Sequence, residues 1–291
     1  MARHRHALWL DIRRSIRHSK GRFLSIVGLM ALGSFALVGL FVTGPDMRAT
    51  GRAYFDALDA ADILVIGDFG LNEEDCALVE QADGIDEVEY GYLKDAVVEG
   101  TTESYRIQSL PERVSRYEVV EGRLPQAPGE IALDSFSQGE YAIGDTVTFD
   151  EKPDAQGSTV LTRDAFTVVG FVSSSEIISG VNMGASTAGS GELSGYAVVV
   201  SETFDSDVYM TARLTFEDTS GVDPYSDEYA NLVHAHRDDL EDLLADQPGV
   251  RLATLRAENQ ATIDDGQAEV DAGYAELEDA EAELDDARAA R

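Results

Sequence analysis

Apolar residues along this chain fall into three regimes. From Phe23 to Thr43 they run unbroken as FLSIVGLMALGSFALVGLFVT. From residue 44 to about 250 they come in short bursts and amphipathic stretches. Beyond 250 they recur every seven residues. The first regime is 21 residues without a charge. As a helix it reaches about 31 Å, the thickness of a hydrocarbon core. Ser25, Gly28, Gly33, Ser34 and Gly39 are small and would let a second helix pack closely. Gly44 and Pro45 are expected to stop this helix, with Asp46 returning the chain to water. A cleaved signal peptide shares the basic start and the apolar run. Its core is shorter, about 7–15 residues, and a small-residue cleavage site follows it. The longer run and the Gly44-Pro45-Asp46 sequence favour a retained span.

The second regime reads as an α+β domain. Strand-like segments are Ile63–Ile66, Tyr92–Val98, Tyr105–Ser109, Glu130–Leu133, Thr146–Phe149, Phe166–Val172, Tyr196–Val200 and Met210–Phe216. Asn72 caps an expected helix running to about Gln81, with Glu73, Glu74 and Asp75 at its positive end. A second helix is expected from Ser226 to Leu244, with Leu232, Val233, Leu240, Leu243 and Leu244 on its apolar side. Strands and helices do not alternate, which favours α+β over a parallel βαβ sheet. Ser173–Gly195, SSSEIISGVNMGASTAGSGELSG, has no regular period. Two readings stand for it: a contact surface for a partner or cargo, or a solvated excursion.

The third regime is a heptad repeat. Ile263, Val270, Leu277 and Leu284 are seven apart, followed three positions later by Gly266, Gly273, Ala280 and Ala287. A strict seven-residue period implies a left-handed coiled coil. Two glycines and a dense acidic flank leave this helix dependent on a partner. A returning segment of the same protein is the expected partner. The repeat is still running at Arg291, which reads as a chain cut within an element.

Charge sharpens the picture. The 291 residues are 44% hydrophobic and 26% charged, as in folded protein, yet carry a net charge of -33. Such a surface repels nucleic acid. Residues 1–43 hold seven of the 22 basic residues and one of the 55 acidic ones. The positive-inside rule then places residues 1–22 in the cytoplasm and 44–291 outside. Leu8, Ile12 and Ile16 share one helical face, with Arg13, Arg14 and Arg17 on others. One reading is a short helix on the inner leaflet, its arginines toward anionic membrane lipid and Trp9 at the headgroups. The other is a basic tail that only sets orientation.

Chemistry-bearing patterns are sparse. Cys76 stands alone, so no disulfide forms within the chain, and a small buried helical residue is the expectation. There is no phosphate-binding G-x-x-x-x-G-K-[ST] loop, no H-E-x-x-H and no EF-hand spacing. His234 and His236 point to different helix faces, where a solvated face is the default. Neither a catalytic site nor a cofactor is expected.

The strings in this chain resemble those of the FtsX-like, MacB-type ABC transporter permeases. Ser19-Lys20-Gly21-Arg22-Phe23-Leu24-Ser25-Ile26 resembles the approach to that family's first span. Glu121-Gly122-Arg123-Leu124-Pro125 and Pro128-Gly129-Glu130-Ile131-Ala132-Leu133-Asp134 resemble motifs of its exterior domain. So do Ile143-Gly144-Asp145 and Phe166-Thr167-Val168-Val169-Gly170, and the glycine-rich stretch through Gly184, Gly189 and Gly191 to Tyr196. The resemblance implies a cytoplasmic segment (1–22), a transmembrane helix (23–43), an extracytoplasmic domain (44–250) and a coiled-coil helix (251–291). It implies a bacterial cell membrane and a separate cytoplasmic ABC ATPase subunit as partner. The coil's partner would be the remainder of the permease chain or a second copy. The output would be export or mechanical signalling, without catalysis by this chain. A single-span anchored scaffold with an oligomerising coil is the alternative.

Overall fold

A computed structural model describes residue 14 and residues 18–153 and 159–289. The chain divides between Ala57 and Leu58 into two compact units.

The first unit is dominated by α1, Lys20–Ala57, none of whose residues is buried. Contrary to expectation, the helix passes through Gly44 and Pro45 and continues for 12 residues beyond the proline. Proline removes only its own N–H from the ladder. Its ring also crowds the carbonyl four residues earlier in the same helix, a cost that apolar membrane-spanning helices tolerate.

The second unit holds two sheets. The smaller has the order β1-β10-β2, all antiparallel, from β1 (Ile63–Leu71), β2 (Ile85–Gly91) and β10 (Tyr209–Phe216). Helices α2 (Glu73–Val79) and α3 (Asp227–Leu244) cover one face. Ala212, Leu214 and Phe216 of β10 meet Val79 and Leu240 there, with Ile63, Val65, Val88 and Tyr90 at the rim. The sequence dictates this layer directly. Alternate strand residues are apolar, and period two sends them all to the helix side. Asn72 caps α2 as expected: its side chain accepts from Asp75 N–H while the Asp75 carboxylate accepts from Asn72 N–H. Ser226 caps α3 by accepting from Tyr229 N–H at 3.1 Å. Leu243, assigned to the apolar side, is instead exposed.

The larger sheet comprises β3 (Leu93–Val98), β4 (Ser104–Ser109), β5 (Glu118–Gly122), β6 (Glu130–Asp134), β7 (Thr146–Asp150), β8 (Ala165–Ser173) and β9 (Leu193–Val199). Its order is β5-β8-β6-β9-β4-β3-β7, and β7 pairs again with β8. That pairing closes six strands into a barrel and leaves β5 as a flap on β8. All six strands send alternate residues inward: Ala96, Ile107, Ile131, Phe149, Val168 and Ala197 are among them. Residues of opposite parity on β6 and β9, Ala132, Tyr196 and Val198, form a second cluster outside the wall. The sheet is mixed, since β4–β9 and β6–β8 are parallel pairs. The α+β class is what the irregular order of elements anticipates.

β2 and β5 were not anticipated. In β2, IDEVEYG, acids interrupt the alternation, and all five residues of β5 are exposed. A strand with no buried side leaves no hydrophobic period to read.

The last element, α4, spans Gln247–Ala289.

Candidate interaction surfaces

Three features stand out from the scaffold: the apolar helix, the segment between β8 and β9, and the stripe along α4.

α1 is long and apolar enough to cross a membrane. Two hydroxyls of its apolar run serve its own backbone. Ser25 Oγ donates to Gly21 O at 2.9 Å and Thr43 Oγ1 to Gly39 O at 2.7 Å. No water is needed to satisfy those groups, as a hydrocarbon environment requires. Of the residues assigned to the membrane interface, Arg14 is helical and exposed, while Trp9, Arg13 and Arg17 lie outside the described residues.

The segment from 174 to 192 is not a free excursion. Its first residues are fixed by Tyr196, whose hydroxyl accepts from Ser174 N–H at 3.0 Å. Glu176 then meets Arg213, with Arg213 Nε donating to Oε1 at 2.5 Å and Nη2 to Oε2 at 3.2 Å. The same Nη2 donates to Gln108 Oε1 at 2.6 Å. Arg213 sits in β10 of the small sheet, Gln108 in β4 of the barrel and Glu176 in the loop, so one guanidinium ties three pieces together. Burial opposes the charge on Arg213, but Glu176 outweighs it and holds the guanidinium pKa above its ordinary value. At the far end, Asp95 accepts from Thr187 N–H at 2.9 Å and pairs bidentately with Arg106. Burial pushes the Asp95 carboxyl up, yet Arg106 and the Thr187 N–H prevail and hold it below the usual range. Ser104 and Ser186 hydroxyls meet at 2.5 Å. Between these anchors the loop turns outward. Ile178 and Val181 are exposed, Val181 at 99%, beside Phe136, against which Gly180 packs.

The sequence concealed this network. Arg213 alternates with Ala212 and Leu214 and shares the polar side of β10 with Thr211 and Thr215, a pattern that reads as solvent-facing. It faces the barrel instead. On the same side, Glu89 of β2 accepts three successive N–H groups, from Glu112, Arg113 and Val114, at 2.6, 2.9 and 2.7 Å.

Four of the strings that carry the family resemblance, at 121–125, 128–134, 143–145 and 166–170, meet around β8. Glu121 and Gly122 pair with Phe171 and Gly170. Arg123 holds Glu130 bidentately at 2.7 and 2.5 Å, keeping the Glu130 carboxyl down at about 2. Gly144 N–H donates to Val168 O at 2.8 Å. Asp134 caps the turn at 135–137 by accepting from Phe136 and Ser137 N–H. Burial nonetheless raises the Asp134 pKa. Gly122 has φ +75°, and a Cβ there would lie 2.4 Å from Val169 O. One at Gly170 would lie 2.3 Å from Arg123 O. These residues build a corner of the barrel.

α4 is a single helix whose stripe faces solvent. Ile263, Val270 and Leu277 are 63%, 51% and 58% exposed. The Leu284 side chain lies outside the described part. No second helix lies along these residues among the described ones, so pairing is not observed. Near its start α4 touches the domain, where Arg251 Nε donates to Phe69 O at 3.4 Å.

Catalytic patterns remain thin. Among the described residues no group of three His, Cys, Asp or Glu could hold a metal. Cys76 is half-buried on α2, and burial raises its thiol pKa. His236 departs from the solvated face assigned to it. It stacks on Phe216 with centroids 3.8 Å apart, and its Nε2 lies 2.8 Å from Asp218 Oδ1. The apolar ring of Phe216 at the edge of β10 supplies a surface that imidazole can cover.

No family model matches the chain, and no curated protein matches it. Among solved structures, it is similar to the extracellular domain of the noncanonic ABC-type transporter YknZ from Gram-positive bacteria. That match has 13% identity and a TM-score of 0.32, covering 60% of this chain and 93% of the other. It is also similar to a domain of a candidate permease protein from Porphyromonas gingivalis, at 14% identity and a TM-score of 0.27. There 57% of this chain and 70% of the other are covered.

Proposed function

We propose that this chain belongs to a permease subunit of an FtsX-like, MacB-type ABC transporter. Residues 1–22 are cytoplasmic, 23–43 cross the bacterial cell membrane, and 44–250 form the extracytoplasmic domain. Residues 251–291 supply one strand of a coiled coil through Ile263, Val270, Leu277 and Leu284. Trp9, Arg13, Arg14 and Arg17 rest on the inner leaflet. A cytoplasmic ATPase hydrolyses ATP, and the chain passes the resulting motion outward for export or to act on a partner outside. It performs no catalysis and holds no cofactor.

The observation that carries this reading is α1, which is long and apolar enough to cross a membrane and is followed at once in the sequence by the α+β domain. Only residues 58–62 separate the end of α1 from β1. The family strings of the exterior domain, four of them gathered around β8, give the same reading its name. The exposed stripe of α4 also supports a second reading, a single-span scaffold that oligomerises through its coil.

Two measurements on the full chain in its native membrane separate them. An Arg14→Cys variant, with Cys76 replaced by alanine, should resist a membrane-impermeant thiol reagent in intact cells. Gentle solubilisation should co-purify an ABC ATPase with vanadate-sensitive ATP hydrolysis. Labelling from outside sinks the orientation. A homo-oligomer without ATPase sinks the permease reading in favour of the scaffold.

A further inference from the structure

α4 places its acids beside its apolar line. Val270 lies between Glu269 and Asp271, Leu277 between Glu276 and Glu278, and Leu284 between Glu283 and Asp285. In a heptad the residue before each of these large apolar ones borders the seam and meets the partner's flank. From Ala257 to Ala287 there is no basic residue. Two antiparallel copies of α4 would set Glu269, Glu276 and Glu283 against one another, and two parallel copies would set Glu276 against Glu281, with no attractive pair between residues 257 and 287. Like charges so placed repel, and nothing within the stretch compensates. The apolar line itself is exposed on α4 and is interrupted at every second layer by Gly266 and Gly273. Such layers leave room for large side chains from the other helix.

We infer that the partner of α4 is not a second copy but a helix of different sequence. It has the same seven-residue apolar period, lysine or arginine bordering its apolar line, and large residues facing Gly266 and Gly273. This rests on the coiled-coil reading above. α3 cannot serve, since it is acidic and its Leu240 and Leu244 already pack against the small sheet. The basic segment at residues 1–22 lies across the proposed span.

The test uses the full chain in detergent or lipid discs and two fluorescent synthetic peptides of five heptads. Both carry leucine at the apolar positions; one has lysine beside them, the other glutamate. The lysine peptide should bind, weakening at least about tenfold between low salt and roughly 0.5 M salt, while the glutamate twin should not. A Val270→Asp/Leu277→Asp variant is more acidic still, so loss of binding there identifies seam docking. Retained binding would reduce the effect to general attraction and overturn the inference. A chain that dimerises through α4 in low salt, with the dimer lost in that variant, would keep the coil but replace the foreign helix by a second copy. If neither peptide binds and no dimer forms even at about 1 M salt, where repulsion is screened, the coiled-coil reading itself falls.

Discussion

Arg213 ties the two sheets and the loop of the domain together. It is buried, its charge is answered by Glu176, and its bonds reach both sheets. Removing one member of such a pair leaves the other charge stranded. Arg213→Ala should therefore cost about 3–5 kcal/mol, read from urea unfolding of the solubilised chain. An unchanged midpoint would show that the network is dispensable. Asp95 makes the loop sensitive to acid. Its folded pKa is depressed below the ordinary 3.8, so its contribution is complete above that value and drains away as pH falls through the folded one. Glu130, held at about 2, acts in the same direction. Asp134 acts oppositely, because its raised pKa means that acidification relieves the cost of burying its charge. An acid protease should begin to cut within 177–183 only below about pH 4. Asp95→Asn should bring that cleavage to higher pH.

Elements were legible in the sequence where one side of them is buried. β1, β3, β4 and β6 to β10 show their apolar period openly, and the caps of α2 and α3 sit at Asn72 and Ser226, where their side chains announce them. β5 was hidden because no side of it is buried. The barrel's closure was hidden because β7 and β8 meet through backbone bonds, which leave no mark in side-chain pattern. The end of α1 was misplaced because proline breaks helices by crowding and by a lost bond, and neither is prohibitive at Pro45. The anchors of the loop were illegible in principle: Arg213, Gln108 and Glu176 come together only through tertiary contact. On α4, each glycine weakens a helix by roughly 1 kcal/mol relative to alanine. Gly266→Ala and Gly273→Ala should each slow amide exchange in the unpartnered helix. They should weaken the binding of any partner that fills those layers.

At the scale of the whole molecule, the candidate site is a division of labour more than a place. Among the described residues, no group of three His, Cys, Asp or Glu that could hold a metal occurs in the apolar helix, the barrel corner, the anchored loop or the stripe. Charge divides the sequence into a basic end, an uncharged apolar run and an acidic remainder, and this is visible before any fold is known. The sequence left two readings of the loop open, and the structure shows it anchored at both ends with Ile178 and Val181 exposed between. Replacing both Ile178 and Val181 by serine should leave the melting temperature within about 2 °C, since neither is buried. A larger drop would show that the tip supports the fold.

The order of the small sheet has a consequence in time. β10 lies between β1 and β2, so the two strands made first have no neighbour to bond until residues 209–216 exist. At typical synthesis rates that interval is on the order of ten seconds. During it, β1 offers ILVIGDFGL with both edges open, the kind of segment that recruits other chains. The barrel strands are all made within the same window and can close first. The nascent chain would then carry a finished barrel beside an unfinished sheet. A chain ending before Tyr209 should aggregate through β1, while one ending after Phe216 should not.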